Sequence, residues 1–138
     1  MIRVVLDTNV LVSAHLNQQG LEADVLRLAF AQAIELYVTE PILAEYEFVL
    51  RRPKFSLDSA HLAHAMSRIR AVGIVATPKS NVALSPDEPD NRFLECAEEA
   101  AAAYLVTGNK RHFPKRWKGT AVVNAREFLE SISPDLKS

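Results

Sequence analysis

The sequence predicts an α/β protein built on a mostly parallel sheet covered on both faces. Two observations carry that expectation. Short β-branched runs alternate with helical stretches along the whole chain, and 49% of residues are apolar against 24% charged with a net charge of −1. That balance excludes a disordered, low-complexity or collagen-like chain. At 138 residues the sequence suits one domain, residues 1–138, and a chain of this size buries roughly 68% of its unfolded surface.

The elements follow in order. Ile2 to Leu6 is β-branched and ends at Asp7, so it reads as a buried strand. Thr8 to Leu16 is apolar and helical, and Asn17-Gln18-Gln19-Gly20 punctuates the chain. Leu21, Val25, Leu28 and Ala29 recur at helical spacing, giving an amphipathic helix over Leu21 to Gln32. Glu35 to Val38 is a second strand. Thr39 caps the next helix, which carries Pro41 in its first turn and stops at Arg52 before Pro53. Asp58 to Ala71 is a further helix ended by Gly73, and Ile74-Val75-Ala76 is a third strand.

Thr77 to Pro89 holds Pro78, Pro86 and Pro89 and is the longest loop-like stretch; such a loop inside a domain is commonly functional. Asp90 to Ala102 is helical, with Phe93, Leu94, Ala97, Ala100 and Ala101 expected to face inward. Tyr104 to Thr107 is a strand followed by Gly108-Asn109, Thr120 to Val123 is the last strand, and Ala125 to Ile132 closes the chain as a helix.

The charge-free stretch Thr8 to Leu21 is too short and too polar to span a bilayer. No basic-then-apolar signal segment opens the sequence, and the single cysteine, Cys96, cannot form an internal disulfide. A soluble cytoplasmic protein with no membrane association is expected.

Parallel sheets bind ligands outside the carboxyl ends of their strands, which directs attention to the polar residues there. Asp7 follows the first strand directly, and either caps the next helix or acts as a ligand. Glu45 has Pro41, Ile42, Phe48 and Val49 as its helical neighbours, so no local cation balances it. It either pairs with a distant base or serves a site. Asp87, Glu88 and Asp90 crowd one helix start, where the helix dipole alone accounts for acids; spacing does not choose among them. Asn109 follows a strand at the same sheet end as Asp7, and Gly-Asn is ordinary turn chemistry.

Together these residues suggest a hard cation held by oxygen, Mg²⁺ or Mn²⁺. His15, His61, His64 and His112 lack zinc-ligand spacing, and neither a phosphate-cradling glycine loop nor a G-x-S-x-G elbow occurs. Asn109 to Lys118 carries Lys110, Arg111, Lys115, Arg116 and Lys118 with no acid, interleaved with His112, Phe113 and Trp117. Its two readings are an RNA-guiding patch and a solvated loop anchored to the core by Phe113 and Trp117.

Three segments resemble the PIN-domain family: Val4-Val5-Leu6-Asp7-Thr8-Asn9-Val10-Leu11, Asp90-Asn91-Arg92-Phe93-Leu94-Glu95-Cys96-Ala97, and Tyr104-Leu105-Val106-Thr107-Gly108-Asn109-Lys110. Their order and spacing extend the resemblance over nearly the whole chain. It is greatest toward the small prokaryotic PIN proteins that form the toxin components of toxin–antitoxin pairs. The resemblance implies a three-layer α/β/α sandwich around a parallel sheet of about five strands. It also implies Mg²⁺- or Mn²⁺-dependent hydrolysis of RNA, leaving a 5′-phosphate and a 3′-hydroxyl.

By the same resemblance the family's acids fall on Asp7, Glu45 and Asp90, with Thr8 and Asn9 supporting the first and Thr107 beside the fourth position. That fourth position departs from the commonest pattern: Asn109 replaces the acid, keeping a carbonyl oxygen but losing a charge. A cognate antitoxin and a homodimer are implied as well. The competing reading is a PIN fold without meaningful catalysis, acting as a binding partner. A phosphoacceptor receiver domain fits less well, because the first strand ends in one acid and the second acid rides a helix.

Overall fold

A computed structural model of the chain describes residues 1–85 and 87–137; Pro86, one of the three prolines of the expected loop, lies outside them. The strands are β1 (Arg3–Leu6), β2 (Glu35–Val38), β3 (Ile74–Val75), β4 (Tyr104–Val106), β5 (Arg116–Trp117) and β6 (Thr120–Val123). The helices are α1 (Thr8–Leu16), α2 (Leu21–Phe30), α3 (Glu40–Leu50), α4 (Ser59–Val72), α5 (Glu88–Ala100) and α6 (Ala125–Lys137). The strands form one sheet in the order β3-β2-β1-β4-β6-β5, parallel throughout except for β5.

This is the expected α/β architecture with one strand beyond the anticipated five. The addition, β5, lies in the basic segment read as a loop, where Lys118 adopts φ 54° and lets the chain turn back onto β6. The last helix also runs past Ile132 to Lys137, and α5 starts at Glu88, so Asp90 is its third residue. Ala101 does not face inward. It ends α5 in the left-handed conformation at φ 50° and is exposed, because the chain must reverse there to enter β4.

Val4, Val5 and Leu6 are fully buried, as a central strand covered on both faces requires. Each such side chain contributes about 1.5–3 kcal/mol on leaving water. Right-handed crossovers place α1 to α4 on the face opposite α5, which packs on β1, β2, β4 and β5, while α6 packs on β4, β6 and α2. The result is a three-layer α/β/α sandwich. Connections from β1 leave toward β2 on one side, whereas β4 lies on the other, so the sheet's switch point falls between β1 and β4. Their paired ends, Leu6 opposite Val106, mark where such folds open a crevice. Tyr46 of α3 donates its hydroxyl hydrogen to the Leu6 carbonyl and packs against Phe93 of α5, tying both helices to the end of β1.

No helix among the described residues is long and apolar enough to cross a membrane.

Candidate metal centre

The crevice at the switch point is a cleft of about 410 Å³, and Asp7, Thr8, Asn9, Glu45, Asp87, Asp90, Asn109 and His112 all line it. Four separate stretches of chain thus bring the sequence-selected residues together. Asp7 stands between β1 and α1 and performs both of its candidate jobs at once. As the N-cap of α1, its Oδ1 accepts from the Thr8 amide at 2.7 Å. Its Oδ2 accepts from the Thr107 hydroxyl at 2.7 Å. Thr107 is fully buried at the end of β4, and its Oγ1 also accepts from the Asn109 amide at 2.9 Å. Asn9 binds the next turn, its Oδ1 accepting from the Gly108 amide at 3.0 Å. The ends of β1 and β4 are therefore cross-linked by side chains as well as by the sheet.

Glu45 is half-buried on α3, which Thr39 caps through a hydrogen bond from the Ile42 amide. No lysine or arginine pairs with Glu45, Asp7 or Asp90 among the described residues. Glu47, by contrast, pairs with Arg51 at 2.8 Å on the solvated side of the same helix. Arg52 reaches the rim of the cleft, where its guanidinium lies 5.8 Å from the Phe48 ring centroid.

The acids at the start of α5 separate cleanly. Glu88 turns away to Arg92 at 3.0 Å, while Asp87 and the buried Asp90 line the cleft. Their backbone is fixed by a clamp that the sequence did not announce. Asn91, 1% exposed, accepts from the Ser85 amide at 2.7 Å and donates to its carbonyl at 3.0 Å. One turn on, Glu95 accepts from the Val82 amide at 2.7 Å and pairs with Arg92 at 3.0 Å. The long loop before α5 is thus fastened to the helix face that carries Asp90.

His112 is the site residue that sequence reasoning missed. It was grouped with histidines lacking ligand spacing, yet the 3₁₀ turn Lys110–His112 folds it back over Asn109. Its Nδ1 lies 3.4 Å from Asp90 Oδ2 and 3.4 Å from Asn109 Nδ2. Asp87, Asp90 and His112 each offer one donor atom within 4.8 Å of the others; Asp7 and Glu45 line the same cleft outside that trio. A histidine three residues after Asn109, which leads the chain out of β4 into the cleft, is the signal that spacing rules for zinc passed over.

The basic segment is corrected in part. Phe113 is buried, and Trp117 is half-buried and packs on the core, so these rings anchor the segment and are not open stacking platforms. Lys110 is engaged by Glu127 at 2.8 Å, which leaves Arg111, Lys115, Arg116 and Lys118 as the segment's exposed cations with no carboxylate partner among the described residues. A second cleft of about 390 Å³ between α1, α2 and α4 gathers His15, His61 and His64 with Arg27 and Arg68, and among the described residues no carboxylate lines it.

Electrostatics show what the acidic cleft lacks. Burial pushes the Asp90 carboxyl up to about 6, with the charges of Asp7 and Asp87 adding to the rise and His112 and Ser85 opposing it. Burial raises Asp7 as well, against the lowering by Thr107 and Thr8. Buried acids that repel one another are relieved by a proton or by a cation. Thr8 Oγ1 is buried beside Asp7 with no hydrogen-bond partner among the described residues. Carboxylates with an amide and hydroxyls form a hard donor set, and the residues present therefore fit Mg²⁺ or Mn²⁺.

A pH dependence follows. Because Asp90 is raised in the folded state, its contribution to stability is fully present below about pH 4 and is lost as pH rises through about 6. A divalent ion bound between these acids would take the place of the proton above that range. Thermal melts are expected to show stabilisation by Mn²⁺ at pH 7.5 and little at pH 5, and equal stabilisation at both contradicts the assignment.

Comparison with known proteins agrees with this geometry. A profile of the PIN domain matches residues 3–111. The uncharacterized protein MJ1680 of Methanocaldococcus jannaschii is 32% identical over 112 residues, spanning 79% of this chain and 72% of that protein. The crystal structure of VapBC2 from Rickettsia felis, bound to a DNA fragment from its promoter, is similar at a TM-score of 0.61. That match covers 89% of this chain and 98% of the other at 16% identity, and it speaks for the fold.

Proposed function

The chain belongs to the PIN-domain family, and from that premise we propose that it is a divalent-metal-dependent endoribonuclease, the toxin of a type II toxin–antitoxin pair acting in the cytoplasm. The observation that carries the reading is the convergence of Asp7, Glu45 and Asp90 on one cleft at the sheet's switch point, with no lysine or arginine paired to them among the described residues. The likeness to the two-component VapBC2 assembly supports a protein partner for this chain.

In this reading Asp7, Glu45 and Asp90 would hold the ion, and Asn109, which lines the same cleft, would offer it a carbonyl oxygen. When bound, Mg²⁺ or Mn²⁺ would supply a water acidic enough to give up a proton and act as hydroxide, and positive charge toward the phosphate oxygens. The remaining work belongs to the chain. Thr107 and the Thr8 amide fix both oxygens of Asp7, and the Asn91 clamp fixes the entry of α5 that presents Asp90. Arg111, Lys115 and Arg116 lie beyond Asn109 as exposed cations that bind phosphates flanking the cut. Hydrolysis at the 3′-oxygen side leaves a 5′-phosphate and a 3′-hydroxyl. Homodimerisation belongs to the same reading, and Leu16 on α1 and Phe48 on α3 are large apolar side chains left exposed on early helices.

The test is cleavage of an end-labelled single-stranded RNA of mixed sequence with Mg²⁺, with Mn²⁺ and with EDTA. Cutting with either ion and none in EDTA is expected; undiminished cutting in EDTA rejects the reading. Lys115→Glu with Arg116→Glu is expected to weaken RNA binding. Loss of two phosphate contacts should also flatten the slope of log affinity against log salt by about 1.4 for a single strand. An unchanged slope removes the patch.

A further inference from the structure

The fourth acid position of the cleft is occupied by Asn109, yet the structure does not leave that side of the cleft without a donor. The chain turns at Lys110–His112 and returns the His112 ring to within 3.4 Å of both Asp90 Oδ2 and Asn109 Nδ2. A separation of 3.4 Å is long for a hydrogen bond, which lies near 2.7–3.2 Å, so neither contact is a well-formed one. Neighbouring ligands of an octahedral ion bound at about 2.1 Å stand about 3.0 Å apart, and opposite ones about 4.2 Å. The donor atoms of Asp87, Asp90 and His112 all lie within 4.8 Å of one another, and His112 Nδ1 with Asp90 Oδ2, at 3.4 Å, falls in the range that two ligands of one ion span. A separate observation also points to an occupant: Thr8, 7% exposed and lining the same cleft, has a hydroxyl with no partner among the described residues.

We infer that His112 is a nitrogen ligand of the bound divalent ion, standing in for the missing fourth carboxylate, with Asp87 and Asp90 beside it. The inference rests on the nuclease reading for the presence of the ion. It gives the substitution at Asn109 a consequence: the site exchanges an anionic oxygen for a neutral nitrogen. A nitrogen ligand must displace a water from the ion, and Mg²⁺ gives up its waters reluctantly and demands near-ideal octahedral geometry, whereas Mn²⁺, a transition ion, accepts imidazole more readily. The chain is therefore tuned toward Mn²⁺ over Mg²⁺, and Asp87, which spacing could not distinguish from its acidic neighbours, becomes a ligand from the loop side.

The experiment is pulsed electron paramagnetic resonance on Mn²⁺ added to the metal-free full chain, with Mn²⁺ and Mg²⁺ affinities measured by titration. The wild-type complex is expected to show ¹⁴N modulation of the Mn²⁺ echo. His112 is exposed, so His112→Ala leaves the fold intact by circular dichroism; it should lose the modulation and bind Mn²⁺ about tenfold more weakly. His112→Asp should restore binding without nitrogen and shrink the Mn²⁺ preference over Mg²⁺. Mn²⁺ bound without ¹⁴N modulation in the wild type, or modulation that persists in His112→Ala, overturns the histidine ligand and leaves the nuclease reading standing. No Mn²⁺ binding by the wild type at millimolar concentration overturns both.

Discussion

Asp7→Asn and Asp90→Asn are each expected to lower metal-dependent RNA cleavage by at least about 10³-fold. Asp90→Asn should leave the metal-free chain no less stable than the parent above about pH 6, whereas Asp7→Asn keeps its cap but gives up the charge-assisted bond from Thr107. The loss follows from the ion's transition-state stabilisation, which is worth several kcal/mol; about 4 kcal/mol corresponds to 10³ in rate. The retained stability follows from the same geometry. Asparagine is as good an N-cap as aspartate, so α1 still begins at Thr8. Removing either charge also relieves the mutual repulsion that, on top of burial, helps raise Asp90 to about 6. Paired melts and cleavage rates check both halves. A variant that keeps its rate within tenfold of the parent does not belong to the metal shell.

Thr107→Val tests the support beneath that shell. The fully buried hydroxyl donates to Asp7 and accepts from the Asn109 amide. Valine, of similar shape, deletes a charge-assisted bond worth about 1.5–3 kcal/mol and strands a backbone donor at a further cost of about 1–3 kcal/mol. A net destabilisation of about 3 kcal/mol is expected, a fall in Tm of about 10 °C for a chain of this size. Cleavage should drop by about 10–100-fold, as when outer-shell partners of metal ligands are removed. Thr107→Ser keeps the hydroxyl and should recover most of the rate. A valine variant that melts and cuts like the parent contradicts this role for Thr107.

Much of the architecture was readable because it depends on local patterns. β-branched runs bounded by Gly, Pro and Asn became strands, and Thr39 and Asp58 cap the helices expected of them. Asp7 and Glu45 were visible for a physical reason: one ends a buried strand, and the other lacks any helical neighbour to balance it. What escaped notice depends on chain reversal and distant pairing. Two-residue β5 is held by its antiparallel partner across a left-handed Lys118, which no periodicity signals. The Asn91 and Glu95 clamps join side chains to loop amides 6 and 13 residues away. His112 reaches Asp90 only through a 3₁₀ turn, and Asp87 and Asp90 differ from Glu88 only by the direction in which the helix start points them.

The most direct test of the central claim is anomalous diffraction from crystals soaked in Mn²⁺ above pH 7. The account predicts a manganese peak in the cleft within coordination distance of Asp7 or Asp90, with Glu45 reached directly or through water. Full soaking with no peak there, or a peak confined to the histidine-lined cleft between α1, α2 and α4, contradicts it.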